Sequence, residues 1–262
     1  MQENEVDFGD CENDGDNLPS YAPVEEIDFR ALDQSICRLK FFGDDPFLRS
    51  QMFSFGYVDQ FITMLEYDLL RKQFREERIP IDDSVLLSAQ SQMWIYAIYE
   101  ILRTWRQRVD SIKKLAKDNK LESALKKLED PLEFSHHGRN IRALQYRAAV
   151  EDKNLIENIE SDVRRISIPF LNLEFIRMSL AKHEVAKRKG SIAHAPGFGM
   201  RNKWCGSLDY DMETGRGSLG YISRRDIADM FRSIWENQEP PSDDEIKKVE
   251  DVLLCKDIWD EP

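Results

Sequence analysis

The sequence predicts a mainly α-helical bundle with a glycine-rich insert and acidic ends. Three observations predict it. Apolar residues recur every three or four positions over most of residues 48–189, the period of helices with one buried face. Seven of the twelve glycines fall between Gly190 and Gly220, where that period is lost. Charge is segregated. Residues 1–46 carry 13 acidic and 3 basic side chains, and residues 239–262 carry 9 and 3. Residues 177–225 reverse the sign, with 10 basic against 4 acidic.

Composition bounds the function. The chain has 262 residues, 41% hydrophobic and 10% aromatic, enough for one large domain or two small ones with a real core. That excludes collagen-like, disulfide-scaffold and wholly disordered chains. No apolar run reaches the roughly 18 residues a membrane span needs, and the acidic N-terminus lacks a signal pattern. Cys11, Cys37, Cys205 and Cys255 form no CxxC pair, which argues against a zinc ribbon or redox motif and fits a reducing compartment. The expectation is a cytoplasmic protein with no membrane partner. The net charge of −12 belongs to the ends, so it does not exclude nucleic acid from the cationic middle.

Each element has a local reason. Residues 1–26 are acidic and without hydrophobic period, which predicts a disordered tail. Residues 27–46 hold apolar groups consistent with a short helix, which Gly43-Asp44-Asp45-Pro46 breaks. A long helix follows from Leu48 to Arg78, with Val58, Phe61, Ile62, Leu65 and Leu69 as its seam, and Pro80 ends it. A second starts at Asp82 or Asp83 with the seam Trp94, Ile98, Ile101, Trp105, Val109 and Ile112. The short connection makes the two an antiparallel hairpin. Lys120–Glu129 is a short helix stopped by Pro131. Another runs from Arg139 to Ile166, interrupted near Asp152, with the seam Ile141, Leu144, Ala148, Leu155, Ile159 and Val163. Ser167 caps a helix that ends at Gly190. Strands around Glu213-Thr214-Gly215-Arg216-Gly217 form a small hairpin. Ser223 caps a helix to Glu236, and Ser242-x-x-Glu245 is a capping box for the last one. The expected domains are an acidic, largely disordered extension (1–46), a helical domain (47–238) and an acidic C-terminal helix (239–262).

The candidate chemistry lies on the helix PFLNLEFIRMSLAKHEVAKRK, residues 169–189. Arg177 and His183 fall about 120° apart on the helical wheel, flanking Leu180, with Leu173 and Ile176 on the same arc. A cation and an imidazole beside one apolar stripe can face a shared cleft. Glu184 falls near Arg177 and is placed to orient it. The alternative reading is a surface arginine and a histidine complementing the helix dipole.

Paired long helices followed by a helix carrying Arg177-x5-His183 resemble the HEPN superfamily, over residues 48–189. The segment from Trp94 through Glu100 and Arg103 to Trp105 also looks like an HEPN helix. Met178 departs from the polar residue usual after the arginine in active members. The resemblance implies metal-independent RNA cleavage at a two-fold dimer interface. His183 would be the general acid or base, its ordinary pKa suiting proton transfer near neutrality. Arg177 would stabilise charge on the phosphate. No metal or cofactor is expected.

Lys182, Lys187, Arg188, Lys189, Arg201 and Lys203 are the expected nucleic-acid-binding residues of a basic 177–225 surface. His136-His137 reads as a polar loop, since adjacent histidines lack metal-ligand spacing. The loop around His194 matches neither a Walker loop nor GxGxxG. Glu100 and Arg103, one turn apart, read as an ion pair, and Trp94, Tyr96 and Tyr99 as core or base-stacking aromatics. Two functions stay open: a dimeric HEPN-like RNA-processing or defence-type protein, or a non-catalytic helical module binding protein or nucleic acid.

Overall fold

The computed structural model describes residues 21–76, 81–130, 136–152, 154–181, 199–214 and 217–253. It is mainly helical, with one small antiparallel sheet. Helix α1 spans Arg30–Cys37, α2 Pro46–Glu76 and α3 Ile81–Lys117. α2 starts two residues before the expected Leu48 because Asp45 caps it. The Asp45 carboxylate accepts from the backbone N–H groups of Phe47 (2.9 Å) and Leu48 (3.2 Å). Pro46 takes the first helical position, where no N–H is needed.

α2 and α3 form the antiparallel hairpin, tied near its tip by Lys72 and Asp83 at 3.0 Å. All six residues of the expected α3 seam, from Trp94 to Ile112, are buried. The Trp105 indole also donates to the Lys40 carbonyl at 2.8 Å. The α2 seam differs from expectation. Ile62 and Leu69 are buried, but Val58 and Phe61 are exposed, and Asp59, Thr63 and Glu66 lie inside instead.

α4 (Leu121–Glu129) and α5 (His137–Glu151) make a second hairpin. Arg139 closes it by donating to the carbonyls of Leu128 (2.8 Å) and Asp130 (3.0 Å) at the end of α4. α6 (Leu155–Arg165) begins after the expected break at Asp152. Leu144 is exposed, contrary to the expected seam; α5 buries Ile141, Ala143, Gln145, Tyr146 and Ala149 instead. α7 is Ser167–Ala181. Ser167 is its first helical residue rather than its cap. The Ser167 hydroxyl donates back to the Val163 carbonyl at 2.7 Å, so α6 runs almost directly into α7.

Strands β1 (Met200–Arg201), β2 (Leu208–Thr214) and β3 (Gly217–Ser223) pair antiparallel in that order. Tyr210 stands opposite Ile222, and both are buried. α8 (Arg224–Arg232) follows β3 directly. Ser223 and Asp226 form a reciprocal capping box there. Ser242 and Glu245 do the same at α9 (Asp243–Leu253).

The core begins upstream of residue 47, with Leu32, Ile36, Leu39 and Phe42 inside it. Part of the expected disordered tail is also docked. The Tyr21 hydroxyl donates to Asp226 at 2.8 Å, and the Ala22 carbonyl accepts from Tyr67 at 2.8 Å. A phenol that reaches a capping carboxylate anchors a segment that has no apolar period of its own. Residues 1–20, Pro131, Gly190 and Arg216 lie outside the described residues. No helix among the described residues is long and apolar enough to cross a membrane.

Trp105 has no exposed surface. Trp105→Ala is expected to lower unfolding stability by about 3–5 kcal/mol in denaturant titration. An unchanged midpoint would contradict its place in the core.

Candidate functional site

Arg177 sits at the open edge between α3 and α7. α7 turns Phe170, Leu173 and Ile176 inward, and Leu180 is half-buried, as the wheel predicts. The Arg177 side chain keeps 24% of its surface exposed. Its guanidinium lies over the Tyr99 ring at 4.7 Å, with Nη2 3.5 Å from Glu100 Oε1. Glu100 also receives Arg103 at 2.6 Å, so one carboxylate serves two cations. The Tyr99 ring stacks on Phe170 at 5.4 Å, and Arg106 covers Phe170 at 4.4 Å. The Tyr99 hydroxyl donates to Glu174 at 3.1 Å. Burial, reinforced by Glu174, raises the Tyr99 pKa and keeps this tyrosine a neutral donor. The edge is therefore a ladder of cation, ring, ring, cation.

The Glu100–Arg103 ion pair is present as expected. Trp94 and Tyr99 are core residues, whereas Tyr96 is half-buried. Glu100, not read from the sequence as a partner of Arg177, is the carboxylate that holds it. The two are 77 residues apart, and no local pattern links them.

His183, Glu184, Lys182, Lys187, Arg188, Lys189 and His194 lie outside the described residues. Lys203 is exposed. Arg201 is half-buried on β1 and reaches Ser84 at 3.4 Å. Burial lowers its pKa, and Asp83 opposes that shift. Ser84 lies 16 residues before Glu100 on α3, roughly 24 Å along the helix axis. Arg201 and Arg177 thus stand at separate places along α3. His136 and His137 are exposed, and the His137 ring meets Phe47 edge-on at 5.4 Å. Among the described residues, no group of three or more His, Cys, Asp or Glu side chains is arranged to hold a metal.

A second charged cluster lies inside the protein. Arg224 is fully buried at the start of α8. Its Nε donates to Glu66 at 3.1 Å, and its Nη2 donates to Glu66 at 2.8 Å and Thr63 at 2.9 Å. Its Nη1 donates to Asp59. Asp59 also pairs with Arg232, and Ser207 donates to Glu66 at 2.7 Å. Burial opposes the charge, but Glu66 and Asp59 outweigh it and hold the Arg224 pKa above its ordinary value. Gly206 lets the preceding loop press onto α2: its φ is +77°, and a Cβ there would stand 2.2 Å from the Glu66 carbonyl oxygen. Arg225 is also buried and bonded to Asp229 at 2.7 Å. Two of the ten basic residues counted in the 177–225 stretch therefore belong to the interior. Asp59, Thr63 and Glu66 at i, i+4 and i+7 were the sequence signal for this cluster. Cys205, buried beside it, has its thiol pushed up to about 12 by burial.

Compared with family models, curated proteins and solved structures, the chain matches none. The geometry alone carries the functional argument.

The Arg177–Glu100 contact is long, and Glu100 is 44% exposed. Glu100→Gln is expected to shift the melting temperature by no more than about 4 °C, since exposed ion pairs contribute about 1 kcal/mol at most. A loss of cooperative melting would show that the edge is structural rather than a surface site.

Proposed function

We propose that this chain is an HEPN-like RNA-processing protein, a metal-independent endoribonuclease of defence or RNA-maturation type. The observation that supports it is the seat of Arg177. Tyr99 and Glu100 fix the guanidinium, yet the 3.5 Å contact is longer than the roughly 2.7–2.9 Å of a tight charged hydrogen bond. Because Glu100 is shared with Arg103, donors of Arg177 stay open toward solvent. A pre-oriented, incompletely neutralised cation is what charge developing on a phosphate needs.

In this reading the 2′-hydroxyl of the RNA attacks the adjacent phosphate, and the 5′-oxygen of the next nucleotide leaves. His183, six residues on, carries the proton exchange as general base or general acid, and Arg177 holds the non-bridging oxygens.

One observation favours a second reading. The stack on Tyr99 and the pair with Glu100 already give Arg177 a role in joining α3 to α7, which a non-catalytic binding module would use equally.

RNA cleavage by purified protein separates the two. The ribonuclease reading expects cleavage that survives EDTA and falls at least about 10²-fold in His183→Ala and in Arg177→Ala. Both variants should keep cooperative melts. Cleavage that requires a divalent metal, or that persists in His183→Ala, would overturn the mechanism. No cleavage of any RNA tested would leave the binding module standing.

A further inference from the structure

One face of α2 carries no exposed charge. Between Arg49 and Asp68 its only charged residues are Asp59 and Glu66, and both are fully buried. The exposed positions over those roughly five turns are serine, glutamine and large apolar residues. Phe53 is 43% exposed, Tyr57 54%, Phe61 55% and Met64 51%. At 100° per residue these four lie within an arc of about 80°. Arg30 of α1, paired with Asp33, lies over the Phe53 ring at 4.7 Å and bounds the stripe at that end. In a chain that is 33% charged, an aromatic and methionine stripe with no exposed charge of its own has the composition of an interface core. The remaining sides of α2 are taken by α1, α3 and Arg224 of α8.

We infer that this face docks a second copy of the chain, α2 against α2 in antiparallel. The sequence of α2 supplies the register. A two-fold axis between Val58 and Asp59 sets Phe53 opposite Met64 of the partner copy, and Arg49 opposite its Asp68. Every contact then occurs twice, as an isologous interface requires. Arg49 meets Asp68, which Arg71 of the same helix also contacts at 2.5 Å, as an opposite pair at each rim, and sulfur meets aromatic ring inside. A parallel arrangement would oppose Arg49 with Arg49 and Asp68 with Asp68. Half-exposed, the apolar side chains offer on the order of 500 Å². Ser50, Ser54, Gln60 and the rim charges extend this toward the roughly 800 Å² per partner of a standard interface. The inference does not rest on the ribonuclease reading, because Arg177 is on α7, which packs against α3, α8 and α9.

Sedimentation equilibrium of the full chain tests it. The expected mass is twice 30.7 kDa. Phe61→Glu is expected to weaken association at least about 30-fold, the loss typical of an interface hot spot. Arg49→Glu is expected to weaken it about tenfold by placing like charges together, and Arg49→Glu with Asp68→Arg to restore it. Thermal melts check folding. If Phe61→Glu fails to fold, Tyr57→Ser, expected to weaken association in the same direction, decides in its place. Wild type that stays at the monomer mass at every concentration overturns the inference. So does a dimer indifferent to folded Phe61→Glu or Tyr57→Ser, or a charge swap that fails to restore association.

Discussion

A guanidinium can lie fully inside a protein only where its nitrogens meet acceptors and its charge meets opposite charge. Arg224 imposes that constraint here. It begins α8, directly after the sheet, and reaches the middle of α2. Asp59, Thr63 and Glu66 must therefore turn inward together. Through Ser207 and Gly206 the same cluster pulls the loop before β2 onto α2. One set of polar contacts thus positions the sheet, α8 and the first long helix.

The rotation of α2 has a consequence on the opposite side. With two carboxylates facing in, Val58, Phe61 and Met64 face out. The apolar stripe and the buried acids are two results of one choice of face. This is why the hydrophobic period misassigned α2: periodicity assumes that apolar residues turn inward, and a desolvated ion pair from a distant helix outweighed it. α3 has no such buried acid, and its seam from Trp94 to Ile112 was legible throughout.

Local chemistry was legible wherever it was self-contained. The Ser223 cap, the Ser242–Glu245 box, the break at Asp152 and the Glu100–Arg103 pair each depend on residues close in sequence. Long-range partners were not. Glu100 holds Arg177 across 77 residues, and Arg224 meets Glu66 across 158. Nothing local in either segment names its partner. Counting the charge of residues 177–225 likewise does not distinguish an interior Arg224 from an exposed Lys203. The Arg177 ladder and the buried cluster are opposites in design. One is incompletely neutralised and partly open to solvent; the other is closed, with every guanidinium nitrogen of Arg224 hydrogen-bonded, suited to holding helices in register.

The direct test of the central claim is the denaturant stability of Arg224→Met beside Asp59→Leu/Glu66→Leu/Arg224→Met. If the buried cation sets the orientation of α2, the single change leaves Glu66 uncompensated inside and Asp59 with Arg232 as its one cation, and costs about 3–5 kcal/mol, enough to threaten folding. The triple change removes Arg224 together with both of its carboxylates, while Arg232 keeps Asp229, and should recover most of that loss. A single variant as stable as wild type, or a triple variant no better than the single, would contradict the account.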